Sequence, residues 1–214
     1  MKIAPSLLSA DFLNLRKDID LLNGNADIAH LDIMDGVFVP NLSFGFTVVD
    51  ALKGQFNIPV DAHLMVTHPE RWFERFAADE VDMISFHWEE SRERTAENID
   101  ILHSLGLKAG VAINPDVPVS CLYPYLHKAD FFLIMSVFAG FGGQKFIPES
   151  LERIAALKER IALEGSSALI EVDGGVNPSN AKALSEAGAD ILVAGSSVFG
   201  SEDPAMSIRI MRAV

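Results

Sequence analysis

The chain has 214 residues, 49% of them hydrophobic, and a formal net charge of −13. That length suits one domain with a sizeable core, and the apolar share excludes a disordered chain. The acidic balance excludes a broad nucleic-acid or anionic-membrane surface, which needs concentrated Lys and Arg, but not a small anionic substrate held by a local site. In chain order, the pattern predicts a strand at 3–8, a helix at 12–22, a strand at 28–34 and a helix at 47–53. It continues with a strand at 60–65, a helix at 69–78, a strand at 83–87 and a helix at 95–105. A strand at 109–113, a helix at 119–126, a strand at 131–137 and a helix at 148–163 come next. The last units are a strand at 169–173 with a helix at 178–187, and a strand at 191–194 with a helix at 204–214. Asn177-Pro178 and Asp203-Pro204 place a capping residue before a proline, and Ala187-Gly188 supplies a glycine stop.

Strand and helix alternate eight times, with strands roughly 25 residues apart, which predicts a (β/α)8 TIM barrel in a single α/β domain over residues 1–214. A doubly wound sheet normally carries a glycine-rich turn after its first strand; here that place reads Ser9-Ala10-Asp11-Phe12. Cys121 is the only cysteine, so an internal disulfide and a cysteine-based structural metal site are both excluded. Met1-Lys2-Ile3-Ala4-Pro5 runs straight into the first strand, without a basic and apolar leader, and no apolar run reaches membrane-spanning length. The expected location is therefore cytoplasmic.

Active-site residues of such barrels stand at the C-terminal ends of the strands. His30, Asp32, His63, His87 and Asp173 all fall there. Residues two apart on a strand share a face, so His30 and Asp32 project together, and His63 and Asp173 can join them. Two imidazoles and two carboxylates suit one divalent ion, whether Zn, Fe(II), Mn or Co. A lone strand histidine is as readily a core residue; the joint occurrence of four suitable residues at strand ends favours a metal set. Asp61 and Glu171 share that inward parity and are expected below the site as hydrogen-bonding supports. Met34, Met65 and Met135 also point inward near the strand ends, where soft apolar side chains over a reacting centre exclude water. Three glycine turns follow the sixth, seventh and eighth strands: Gly140-Phe141-Gly142-Gly143-Gln144, Gly174-Gly175 and Gly195-Ser196-Ser197. Each alone reads as an ordinary turn. Together they occupy the barrel sector where phosphate binds, and their bare N–H groups can approach an anion. Lys145 stands nearby and reads equally well as a solvated charge.

At these residues the chain resembles the ribulose-phosphate 3-epimerase family. The matching motifs run from Ala4-Pro5-Ser6-Leu7-Leu8-Ser9-Ala10-Asp11-Phe12 and His30-Leu31-Asp32-Ile33-Met34-Asp35-Gly36 to Glu171-Val172-Asp173-Gly174-Gly175 and Val193-Ala194-Gly195-Ser196. The resemblance implies a cytoplasmic enzyme of the pentose phosphate pathway that interconverts D-ribulose 5-phosphate and D-xylulose 5-phosphate. It implies an ion held by His30, Asp32, His63 and Asp173, with Asp32 and Asp173 as the acid–base pair. Ser9 and His63 are implied substrate contacts, the methionines lie against the intermediate, and the phosphate sits on Gly142, Gly143, Gly175, Gly195, Ser196 or their neighbours Gly140, Phe141 and Gly174. A homo-oligomer is implied too. Proton removal from C3 leaves an enediolate whose charge a Lewis acid stabilises, and inversion needs two carboxylates, one ionised and one protonated. The chain departs from the family where Val37 replaces a histidine, and where Phe138-Ala139 replace a polar residue and a proline. A D-allulose 6-phosphate 3-epimerase is the near alternative. A Schiff-base aldolase needs a strand-end lysine, whereas Lys108 stands at the start of the fifth strand. A non-catalytic sugar-phosphate binding barrel would lack a base or a ligand, and none is missing.

Overall fold

In the computed structural model, which describes all residues from Met1 to Val214, eight parallel strands wind around one barrel. They are β1 (Lys2–Pro5), β2 (Ala29–Met34), β3 (Val60–Met65), β4 (Met83–His87), β5 (Lys108–Ile113), β6 (Phe131–Met135), β7 (Leu169–Asp173) and β8 (Ile191–Ala194). Seven neighbouring pairs form continuous parallel ladders, in the order β1-β8-β7-β6-β5-β4-β3-β2. The remaining seam, β1 against β2, closes more loosely. Asp27 and Ile28 N–H donate to Ile3 O at 3.0 and 3.4 Å, and Ser6 bridges His30 in parallel.

The helices are α1 (Leu15–Asn25), α2 (Phe46–Leu52), α3 (Phe73–Ala78), α4 (Trp88–Ser91), α5 (Thr95–Ser104), α6 (Ser150–Glu164), α7 (Ala181–Ala187), α8 (Ser196–Phe199) and α9 (Pro204–Arg212). Strand side chains alternate between two cores. Outward residues such as Leu31, Leu64, Phe86, Phe132, Ile134, Val172 and Leu192 pack under the helices. Ile154, Leu157 and Ile161 of α6 answer them from one helical stripe. Each such large side chain contributes ~1.5–3 kcal/mol by leaving water. Inward residues Ile28, Met83, Phe131 and Ile191 plug the N-terminal end of the barrel, and Ala4 and Val193 extend this apolar cluster toward the other end. No helix is long and apolar enough to cross a membrane.

Element boundaries depart from expectation where side chains intervene. The first strand stops at Pro5, because Ser6 Oγ accepts the Leu8 N–H at 3.2 Å and turns Leu7–Ser9 into a 3-10 segment. Val119–Tyr125 is likewise 3-10 rather than α, with Pro124 lacking the N–H an α-helix needs. The helix expected at 178 starts at Ala181 instead, since Asn177 Oδ1 takes the Ser179 N–H at 2.9 Å and holds a turn there. Both other signals hold. Asp203 Oδ1 accepts the Met206 N–H at 2.9 Å, and Gly188 ends α7 at φ +111°.

Candidate active site

The register of β2 against β3 sets Asp32 beside His63 and His30 beside Asp61. Asp173 ends β7, beside Met135 and Val193. His30, Asp32, His63 and Asp173 thereby present ligand atoms that all lie within 4.8 Å of one another. Asp32 Oδ1 stands 3.2 Å from His63 Nδ1 and 3.5 Å from His30 Nε2. The other nitrogen of each ring is already engaged. His30 Nδ1 meets Asp61 Oδ2 at 2.8 Å, and His63 Nε2 meets His87 Nε2 at 2.9 Å. His30 Nε2 is fully buried and has no hydrogen-bond partner. A nitrogen oriented by a carboxylate behind it and unpaired in front is the arrangement of a metal-ligating histidine. The four residues can therefore hold a divalent ion.

Ser6, which marks the loose β1–β2 seam, donates its hydroxyl to Asp32 Oδ2 at 2.5 Å. A side-chain bond thus pins the carboxylate where the strand ladder is thinnest. Ser43 Oγ donates to Asp32 O at 2.6 Å and takes the Met34 N–H at 3.0 Å. Asp35 secures the loop that follows, accepting N–H groups of Val37, Phe38 and Thr67 at 2.8–2.9 Å. Although burial pushes its carboxyl up, these backbone donors hold it below the usual range.

Burial acts on every group of the cluster, and neighbours decide the outcome. It would raise Asp32, but His30 and His63 outweigh it and hold this carboxyl well below the usual range. Asp173 goes the other way, pushed up to about 7 by burial and by the Asp32 charge. His63 falls to about 4, chiefly through burial. For His30, burial pulls down, yet Asp32 and Asp61 together hold it well above the usual histidine range. Glu171, buried with both oxygens unpartnered, is raised strongly by burial and then by Asp61. Two carboxylates of one site are thus driven in opposite directions.

A cavity opens above them. Asp32 and Asp173 line it, with Met34, Met65 and Met135 on its apolar side. Ser9, Gly140, Phe141, Gly142, Gly143, Gly174, Gly175, Gly195 and Ser196 also line it, so the three glycine turns and the first loop do converge. His30 and His63 are fully buried beneath the lining rather than part of it. Lys145 and Val37 also lie outside the lining, whereas Phe138 and Ala139 belong to it. Gly175 shows why its turn needs glycine: φ is +63°, and an added Cβ would sit 2.4 Å from Phe146 N. Two features escaped the sequence. Ser6, whose hydroxyl bonds Asp32, was not among the expected site residues. His87, noted only as a rim histidine, stands behind His63 and is itself held by Glu89 Oε1 at 3.4 Å. Its position two residues before Glu89 on a strand end was the available signal.

The profile of the ribulose-phosphate 3 epimerase family matches residues 2–199. The ribulose-phosphate 3-epimerase of Bacillus subtilis (strain 168) is 42% identical over 214 residues, covering 99% of this chain and 98% of that protein. The chloroplastic ribulose-5-phosphate-3-epimerase of Arabidopsis thaliana is 43% identical over 213 residues, covering 99% of this chain and 76% of the relative. Among solved structures, 3-hexulose-6-phosphate synthase from Salmonella typhimurium superposes with a TM-score of 0.76 at 16% identity, covering 100% of this chain and 97% of that one. At that identity the likeness shows the fold alone.

Proposed function

This chain belongs to the ribulose-phosphate 3 epimerase family and is an isomerase, and we propose that it interconverts D-ribulose 5-phosphate and D-xylulose 5-phosphate by proton transfer between Asp32 and Asp173. The observation that carries the reading is the pair itself. Both carboxylates line one cavity, one held well below the usual range and the other pushed up to about 7. Carboxyl groups driven apart in this way divide the roles of base and acid. Asp32, fixed by Ser6, takes the C3 proton in its ionised form; Asp173, in its protonated form, gives one back on the other face of the carbon. The reverse reaction exchanges the roles.

His30, Asp32, His63 and Asp173 would hold one divalent ion, of the Zn, Fe(II), Mn or Co class. When bound, the ion supplies Lewis-acid stabilisation of the enediolate's negative charge. Asp61 and His87 keep the two ligand rings turned toward Asp32. Met34, Met65 and Met135 keep water from the reacting carbons. The turns at Gly140–Gly143, Gly174-Gly175 and Gly195-Ser196 take the phosphate through backbone N–H groups, and Ser9 completes that side. Fixing the phosphate orients C3 between the carboxylates. Its proposed site of action is the cytoplasm, on a phosphorylated ketose.

Purified protein supplied with each candidate ion and D-ribulose 5-phosphate should yield D-xylulose 5-phosphate. A parallel assay with D-allulose 6-phosphate compares the longer sugar. Failure to turn over the pentulose with any ion, or a clear preference for the hexulose, overturns the substrate assignment.

A further inference from the structure

Asn114, the residue immediately after β5, has all four of its polar groups engaged, and they reach three different parts of the rim. Its backbone N–H and its Nδ2 both donate to Glu89 Oε1, at 3.0 and 2.9 Å. Its Oδ1 accepts the Ala139 N–H at 2.9 Å, and its carbonyl accepts Arg153 Nη2 at 2.8 Å. Only one orientation of the amide serves both Glu89 and Ala139, because the first must receive a proton and the second must give one. Glu89 Oε1 is also the partner of His87 Nδ1 at 3.4 Å, and His87 Nε2 meets His63 Nε2 at 2.9 Å. The His63 and His87 rings stack at 5.1 Å, and Phe38 packs on His87 at 4.6 Å, so the relay has little freedom to turn. At the other end, Ala139 belongs to the loop that walls the cavity. Ala139 is one of the departures from the family pattern; a proline at this place has no N–H to donate.

We propose that Asn114 is a positioning residue that couples the cavity loop at residues 138–144 to His63 through Glu89 and His87, so that loop order and ion binding are linked. The inference rests on His63 acting as an ion ligand. The physical route is short. With Nε2 held by His87, His63 presents Nδ1 toward Asp32. His87 is held in turn by a carboxylate that two N–H groups of Asn114 fix. Moving Ala139 away releases the Asn114 amide, and with it one of those two donors. By reciprocity, an ion that fixes His63 makes the loop harder to open.

The test is a Zn2+ titration of metal-free, full-length protein, with amide hydrogen exchange of residues 138–144 followed with and without saturating Zn2+. Wild type is expected to bind Zn2+ and to show slower loop exchange when loaded. Asn114→Ala should lower Zn2+ affinity, by less than the roughly ten-fold typical of a group bonded directly to a ligand, and saturating Zn2+ should no longer slow the loop. Asn114→Asp keeps an acceptor for Ala139 but loses the donor to Glu89, so affinity falls while the metal-free loop exchanges as in wild type. Ala139→Pro removes the loop donor and should abolish the Zn2+ effect on the loop. If Asn114→Ala does not fold, the last two variants decide the matter. Zn2+ binding by wild type, with loop protection equal in Asn114→Ala or Ala139→Pro, overturns this inference alone. No Zn2+ binding by wild type overturns the metal reading and this inference with it.

Discussion

At the N-terminal end of the barrel interior stand Ile28, Met83, Phe131, Leu169 and Ile191, an apolar plug. One or two inward positions further along, β2 offers His30 and Asp32, β4 offers Ser85 and His87, and β7 offers Glu171 and Asp173. β6 and β8 stay apolar over the same distance, with Leu133, Met135 and Val193. The two ends share strands, parity and burial, yet differ in what holds them. Close packing holds the plug: Gly110 gives way to the Phe131 ring, and an added Cβ would lie 2.3 Å from Phe131 Cζ. At the other end, hydrogen bonds hold a cluster in which His30 Nε2, Asp61 Oδ1 and both Glu171 oxygens have no partner. Unsatisfied buried polar atoms oppose folding. Within the barrel interior they gather at the site end, where the fold gives up stability for chemistry.

The comparison breaks most sharply at Asp173. Asp173→Asn should lower epimerase turnover by about 10²–10⁴-fold, the usual worth of a general acid or base, while the thermal midpoint at neutral pH stays level or rises. Full-rate epimerisation together with full-rate C3 exchange in D2O would rule out the two-carboxylate scheme. At the opposite end, Phe131→Ala should cost ~3–5 kcal/mol of stability and leave kcat/KM intact wherever the protein remains folded. Gly110→Ala should cost ~1–3 kcal/mol by overpacking. In the Phe131→Ala background that second cost should vanish, which denaturant melts of the double variant will test.

Asp61→Asn sharpens the contrast. It weakens the group that orients His30 and should reduce ion affinity by roughly ten-fold with little change in apolar packing, as read by calorimetric titration. The smallest effect is the pH dependence of metal-free stability. With its folded pKa at about 7, above the ordinary carboxylate range, Asp173 keeps a proton that the unfolded chain releases. Its contribution is therefore most favourable at low pH and is lost as pH rises from roughly 4 to about 7. Melting wild type and Asp173→Asn across that interval should give a difference that grows in favour of the variant. A constant difference would mean that Asp173 is not raised.

Much of this was legible in the chain itself. The alternation of short apolar runs with amphipathic stretches dictates eight βα units. The two-residue period puts His30 with Asp32 and points Asp61 and Glu171 inward. The His30, Asp32, His63 and Asp173 cluster, the three inward methionines and the converging glycine turns were all readable because each depends on parity within a strand or on composition within a turn. The same local rules carried the sixth strand two residues past Met135; they also overextended the first strand and misjudged the helices at 119 and 178, where Ser6, Pro124 and Asn177 redirect the backbone through side-chain chemistry.

Which partner each polar group takes was decided by tertiary structure alone. Ser6 reaches Asp32 across the β1–β2 seam, His87 stands behind His63 through the register of β3 and β4, and Asn114 joins Glu89 to Ala139 across three loops. Hydrogen bonds between segments distant in the chain depend on register, tilt and closure to within fractions of an ångström. Parity is a property of one strand and survives in the sequence; register relates two strands and exists only once the barrel has closed.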